Sequence, residues 1–153
     1  MSLPERKSTR VKDFDYSSER AYFITICTYN KNKVFQDDSL TGQLIELLKS
    51  YKDKLNFKAY VYCFMPDHLH LLINPAESGK TVSQIIGGFK SLTTKTAWEY
   101  GIKGKLWQSR FHDHILRKNE DLMTVGTYIL NNPVRKKLAD KWEDYQFCGI
   151  IDS

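Results

Sequence analysis

The sequence predicts an α+β domain of the ferredoxin-like split β-α-β kind, an antiparallel sheet with helices on one face plus a further C-terminal helix. Three observations predict it. Apolar residues switch between a period of two and a period near 3.6 in the order β-α-β-β-α-β and then α. The connections are short. One strand pair is joined by only Met65-Pro66-Asp67, which forces its members to be antiparallel neighbours.

Ala21–Tyr29 is rich in β-branched and aromatic residues and reads as the first strand. Leu40, Leu44, Ile45, Leu47, Leu48 and Tyr51 then recur at helical spacing, with Asp37, Asp38 or Ser39 as cap, to about Lys54. Phe57–Phe64 is the second strand, closed by Pro66, which cannot donate to a ladder. His68–Ile73 is the third. Thr81-x-x-Gln84 is a capping-box signature for a second helix that carries Val82, Ile85, Ile86, Phe89 and Leu92 to about Tyr100. Gly101 and Gly104 mark a loop, and Trp107–Arg117 contains a fourth strand. Asn119 is placed to cap a third helix with Leu122, Val125 and Ile129, ending near Asn132 because Pro133 follows. Leu138, Trp142, Tyr145 and Phe147 give the tail enough apolar bulk to pack back on the body.

At 153 residues this is one domain, large enough to bury a core without disulfides or structural metal. Residues 1–19 are polar and basic and read as an arm that orders on a partner. The three cysteines are widely spaced without a C-x-x-C pair, which points to a reduced, cytoplasmic setting. The N-terminus lacks the apolar segment of a signal peptide, and no apolar run is long enough to span a bilayer. A net charge of +5, clustered at Arg6–Lys12, Lys103–Arg110 and Arg135–Lys137, favours a polyanionic partner such as a phosphate backbone.

His68-Leu69-His70 is the most informative tripeptide. Alternate residues of a strand share a face, so the two imidazoles project together while Leu69 and Leu71 enter a core. Two rings so placed can share a cation, and His is the commonest metal ligand. The aspartate and histidine that a zinc hydrolase of the H-x-H-x-D-H type needs are replaced by Leu72 and Ile73, and H-E-x-x-H, G-x-S-x-G and P-loop patterns are absent. Tyr128 and Asn132 stand one helical turn apart, bordering the apolar stripe of the third helix. The Asn132 amide can complete a His-His-Asn set around a hard cation, and a metal-activated phosphate gives a tyrosine, a weak nucleophile near neutrality, the help it needs.

The combination resembles the single-tyrosine transposases with a His-hydrophobe-His motif, most closely the REP-associated tyrosine transposase group. The resemblance rests on Ala21–Thr28, Phe64-Met-Pro-Asp-His-Leu-His-Leu-Leu, Gly88-Phe-Lys-Ser, Leu106–Arg117 and Tyr128-Ile-Leu-Asn-Asn-Pro-Val, in family order from about residue 8 to residue 140. It implies that His68 and His70 bind the metal and Tyr128 attacks. Asn132 would match the polar ligand one turn later, where many relatives have Gln. It further implies residues 20–153 as the catalytic domain, Mg²⁺ or Mn²⁺ as cofactor, and single-stranded or hairpin DNA as substrate. The product would be a 5′-phosphotyrosine with a free 3′-hydroxyl, made by a monomer or a homodimer. Chemistry alone would give two imidazoles a softer metal, so Mg²⁺ requires that phosphate oxygens and water fill the remaining positions.

On that reading the basic residues have tasks. Lys90, Lys95, Lys105, Arg110, Arg117 and Arg135 are placed to contact DNA, and Arg10 and Lys12 of the arm to grip a hairpin stem. Trp107 either stacks on an unpaired base or belongs to the core. His114 is a candidate phosphate contact, whereas His112 faces solvent. Competing readings are a replication-initiator nickase, a domesticated hairpin-binding protein, and an RNA-binding module that would need exposed aromatics on the central strands.

Overall fold

The computed structural model describes residues 20–117 and 119–153. The basic arm of residues 1–19, with Arg10 and Lys12, lies outside the described residues. Five strands form one sheet: β1 (Tyr22–Cys27), β2 (Lys58–Met65), β3 (His68–Asn74), β4 (His112–Ile115) and β5 (Cys148–Ile150), in the order β4-β1-β3-β2-β5. Every neighbouring pair is antiparallel. Strands β1 and β2 are therefore parallel to each other with β3 between them, which is the split β-α-β arrangement predicted.

The helices α1 (Asp38–Leu55) and α2 (Val82–Glu99) cover one face. Asp37 caps α1 by accepting the Leu40 N–H at 3.0 Å, and Asn56 ends it in the left-handed conformation at φ 65°. Both hydrogen bonds of the Thr81–Gln84 capping box are present on α2. Between these helices and the sheet lie Ile24, Ile26, Phe64, Leu69, Leu71, Leu44, Leu48, Ile85 and Phe89. Each such side chain contributes about 1.5–3 kcal/mol by leaving water. Gly88 is required where the helices meet, because a Cβ there would run into the Tyr51 hydroxyl.

The opposite face carries His68, His70 and Leu72 of β3 with Val61, Cys63 and Met65 of β2, and α3 (Leu122–Leu130) packs on it through Ile129 and Leu130. Two expectations about this helix need correction. Its N-cap is Asp121 rather than Asn119, with the Asp121 carboxylate accepting the Thr124 hydroxyl at 3.2 Å. It ends at Leu130, and after Asn131 a separate turn, α4 (Asn132–Arg135), begins. Pro133 is the reason: it has no N–H to give back to the preceding turn but is tolerated in a first turn.

Strand β5 was not anticipated. It is three residues long with a central glycine, too short for a period-two signal. It extends the sheet beyond β2, brings Cys148 opposite Cys63, and needs Gly149 because a side chain there would press on Tyr62. Both thiols are free. Trp142, Tyr145 and Phe147 pack on the body as expected, and the Tyr145 hydroxyl donates to the Phe64 carbonyl at 2.7 Å. Leu138 does not follow them and stays 47% exposed.

Candidate metal and nucleophile site

The pleat of β3 puts His68 and His70 side by side, with ring centroids 4.7 Å apart. Each ring is held through Nδ1. His68 Nδ1 lies 2.7 Å from Asp67 Oδ1, where a carboxylate can only accept, so Nδ1 carries the proton. His70 Nδ1 lies 2.9 Å from the Thr25 hydroxyl, its direct partner across β1 and β3. Both Nε2 atoms are thereby left for a ligand, the outer-shell arrangement that usually orients metal-binding histidines. Burial first, then the charges of His68 and Arg135, lower the His70 pKa to about 3. Its imidazole is neutral at neutral pH, the form that binds metal.

Asn132 is the third member. Its side chain is buried, and its Nδ2 stands 3.5 Å from His68 Nε2. Its Oδ1 accepts from Arg135 Nη2 at 3.4 Å. Rotating the amide by half a turn would offer the oxygen to a cation instead. Among the described residues no group of three His, Cys, Asp or Glu side chains could hold a metal ion. His68, His70 and Asn132 are the residues that could hold a divalent cation here, as an open half-shell that other oxygens would have to complete.

Tyr128 sits beside this group on α3. Its ring is 54% exposed, and Phe23 packs edge-on against both Tyr128, at 6.3 Å, and His70, at 5.4 Å. The Arg135 guanidinium lies over the phenol ring, 3.8 Å from its centroid. The expected stacking of Tyr128 over Asn132 is loosened by the break at Asn131. One side chain is turned to solvent and the other inward.

The remaining expectations divide. Lys95, Lys105, Arg110, Arg117 and Arg135 are exposed and remain available to phosphates. Trp107 does not: it is 4% exposed, lies against Phe35 and Phe89, and donates Nε1–H to the Thr93 hydroxyl at 2.8 Å. It is a core residue, because a side chain that bridges a loop to α2 leaves no face for a base. Lys90, half-buried, donates to the Gln108 carbonyl at 2.7 Å and fastens that loop, and burial lowers its pKa. His114 Nε2 lies 2.9 Å from Glu120, which braces β4 against the entry to α3. His112 is exposed, as expected.

Sequence reasoning did not find Asp67, Thr25 or Phe23. The carboxylate next to His68 was a usable signal, whereas Thr25 and Phe23 join the site only through strand register. The exposed-aromatic surface of an RNA-binding module is not built on β3, whose corresponding positions are these histidines.

The comparisons agree with the fold. Two Haemophilus influenzae proteins are similar to the chain. One is uncharacterized, 27% identical over 86% of this chain and 90% of that protein. The other is named as a candidate REP-associated tyrosine transposase, 27% identical over 89% of this chain and 82% of that protein. The solved structure of a REP-associated tyrosine transposase bound to a REP hairpin superposes with a TM-score of 0.67 at 20% identity, covering 92% of this chain and 82% of that one. A proposed transposase from Deinococcus radiodurans gives a TM-score of 0.56 at 18% identity, over 80% of this chain and 97% of that one. These two likenesses establish the shared fold. No helix among the described residues is long and apolar enough to cross a membrane. The family described as IS200-like transposases matches residues 16–132, and the chain belongs to it.

Proposed function

We propose that this transposase-family chain cleaves and rejoins single-stranded DNA near hairpins through a 5′-phosphotyrosine on Tyr128. His68, His70 and Asn132 are the residues that would hold Mg²⁺ or Mn²⁺. The observation that carries the reading is the 3.5 Å approach of Asn132 to His68 Nε2, four residues on from the exposed phenol of Tyr128. A bound divalent cation supplies Lewis-acid polarisation of the scissile phosphoryl group.

The chain's own residues account for the remainder. Asp67 keeps the His68 imidazole in the tautomer that presents Nε2, and Thr25 holds the His70 ring through Nδ1. Arg135 brings a positive charge to the phenol ring, where a phosphate must dock for in-line attack. The Tyr128 oxygen forms a bond to phosphorus as its proton passes to water. The bond from phosphorus to the 3′-oxygen breaks, and that oxygen leaves as a hydroxyl after taking a proton. One phosphodiester replaces another, so a second DNA 3′-hydroxyl can reverse the step without ATP.

The hairpin substrate is extended to this chain from the relative solved with a REP hairpin. Residues 20–153 are the catalytic unit in this reading, with Arg10 and Lys12 of the arm on the hairpin stem. Action on chromosomal DNA would place it in the cytoplasm. Incubation with a labelled hairpin oligonucleotide and Mn²⁺ or Mg²⁺, followed by a denaturing gel, tests the proposal. A covalent adduct is expected that disappears with chelator and in Tyr128→Phe. An adduct that persists in Tyr128→Phe overturns the nucleophile assignment.

A further inference from the structure

Two exposed aromatic side chains take no part in the site above: Trp98 is 53% exposed and Tyr29 41%. Both stand toward the His68 end of the sheet. Tyr29 directly follows Thr28, whose N–H donates to the carbonyl of Asp67, the residue before His68, at 3.0 Å. The Tyr29 N–H donates in turn to the Leu106 carbonyl at 2.9 Å. Trp98 belongs to the last turn of α2, and its indole N–H donates to the Gly104 carbonyl at 2.8 Å. That bond needs a tightly folded loop, which Gly101 and Gly104 permit at φ 94° and 74°. The next residue, Lys105, places Nζ 5.5 Å from the centre of the Tyr29 ring. The Gly104–Lys105 step thus touches both aromatics.

Lys31, Lys95, Lys103 and Lys105, within seven residues of one or other ring in the sequence, are all exposed. Single exposed aromatics are ordinary on protein surfaces. Here one ring is anchored through its polar edge, a second stands beside a lysine of the same loop, and further exposed lysines lie close to each in the sequence. Aromatic faces interleaved with cations are what unpaired nucleotides stack on while their phosphates are tracked. Duplex DNA presents no open base faces, so the chemistry selects a single strand.

We infer that Tyr29 and Trp98 form a stacking platform for unpaired DNA bases, carrying the single-stranded flank of the substrate toward the His68 end of the site. This inference rests on the single-strand reading proposed above. Lys31, Lys95, Lys103 and Lys105 hold the phosphates of that flank, whereas the hairpin stem is bound elsewhere.

Intrinsic fluorescence and binding to unstructured oligothymidylate test this with the full chain. Stacking quenches the indole, so emission falls on saturation, and the fall is lost in Trp98→Phe because Trp107 is buried and Trp142 packs against the opposite face of the sheet. Trp98→Ala and Tyr29→Ala each weaken oligothymidylate binding on the order of tenfold, the loss expected for one base stack. Their thermal unfolding serves as the folding control, and Lys105→Gln supplies a variant that leaves the indole anchor intact and weakens binding with a shallower salt dependence. An unchanged Kd in Trp98→Ala, or emission that does not respond at saturation, overturns the platform. If adduct formation on the hairpin meanwhile proceeds normally through Tyr128, the platform alone has failed. If no adduct forms but oligothymidylate still quenches Trp98, the Tyr128 chemistry has failed and the platform stands.

Discussion

Asn132 and His68 are 64 positions apart, yet the amide nitrogen of one stands 3.5 Å from Nε2 of the other. The same amide's oxygen accepts from Arg135, whose guanidinium covers the Tyr128 ring. A chain of contacts therefore runs from the histidine pair to the phenol through a single buried side chain. The short turn α4, with Pro133 in its first positions, makes this possible, because it carries both Asn132 and Arg135.

Metal affinity should follow this chain outward. In Mn²⁺ titration by calorimetry, His68→Ala and His70→Ala are expected to remove measurable binding. Asp67→Asn and Thr25→Val, which touch only the far nitrogens, should weaken it by roughly tenfold to a hundredfold. Asn132→Asp should retain binding and Asn132→Ala should not. Full Mn²⁺ affinity in His68→Ala would remove the metal assignment.

Arg135→Ala should slow adduct formation by more than about tenfold while unfolding at the wild-type temperature, since an exposed cation–π pair contributes only about 0.5–1 kcal/mol to stability. Arg135→Lys is expected to restore little, because a point-like ammonium cannot cover the ring and bond the Asn132 oxygen together. A single-turnover assay separates this from binding. Equal rates in all three proteins would show that Arg135 has no part in the reaction.

Trp107 is tested as a core residue by denaturant melts. Trp107→Ala should cost about 3–5 kcal/mol, as for other large aromatic truncations. Thr93→Val, which orphans the buried indole N–H, should cost about 1–3 kcal/mol. The folded fraction of each should bind DNA normally. A stable Trp107→Ala protein with lost DNA binding would return the residue to the interface.

Gly88→Ala should destabilise the packing of α1 on α2 by about 1–3 kcal/mol, since the added methyl meets the Tyr51 hydroxyl. Tyr51→Phe removes that oxygen, along with its 2.7 Å bond to the Ile85 carbonyl. The double variant should therefore be more stable than additivity predicts. Strict additivity in the cycle would show that the two side chains do not meet.

Acid sensitivity should concentrate where β4 passes into α3. Burial raises the Glu120 pKa, but the Arg117 N–H, the His114 hydrogen bond and the charges of both outweigh it, so the net shift is downward. A carboxylate held below its unfolded value of about 4.3 contributes stability that is present above that value and lost as pH falls through the folded one. The protection of amides in the first turn of α3, measured against their intrinsic exchange at each pH, is expected to fall in that window. In Glu120→Gln that protection should already be low at neutral pH and change little with acid.

Much of this molecule was legible in its sequence because local physics decides it. Helical periodicity located α1 and α2, Thr81 and Gln84 announced their capping box, and Pro66 and Pro133 marked where elements stop. Strand alternation alone put His68 and His70 on one face. Other features depend on which distant strands become neighbours, and no local period encodes that. The register of β1 against β3 recruits Thr25 and Phe23 to the site, and the pairing of β2 with β5 joins Cys63 to Cys148. Trp107 illustrates the same limit. A tryptophan in a basic loop has the composition of a base-stacking residue, and only the closing of that loop onto Thr93 and Phe89 made it core. The sequence by itself determined the elements and the chemistry they carry. Tertiary packing decided which polar side chains keep a free face, because burial and hydrogen bonding are settled between segments rather than within them.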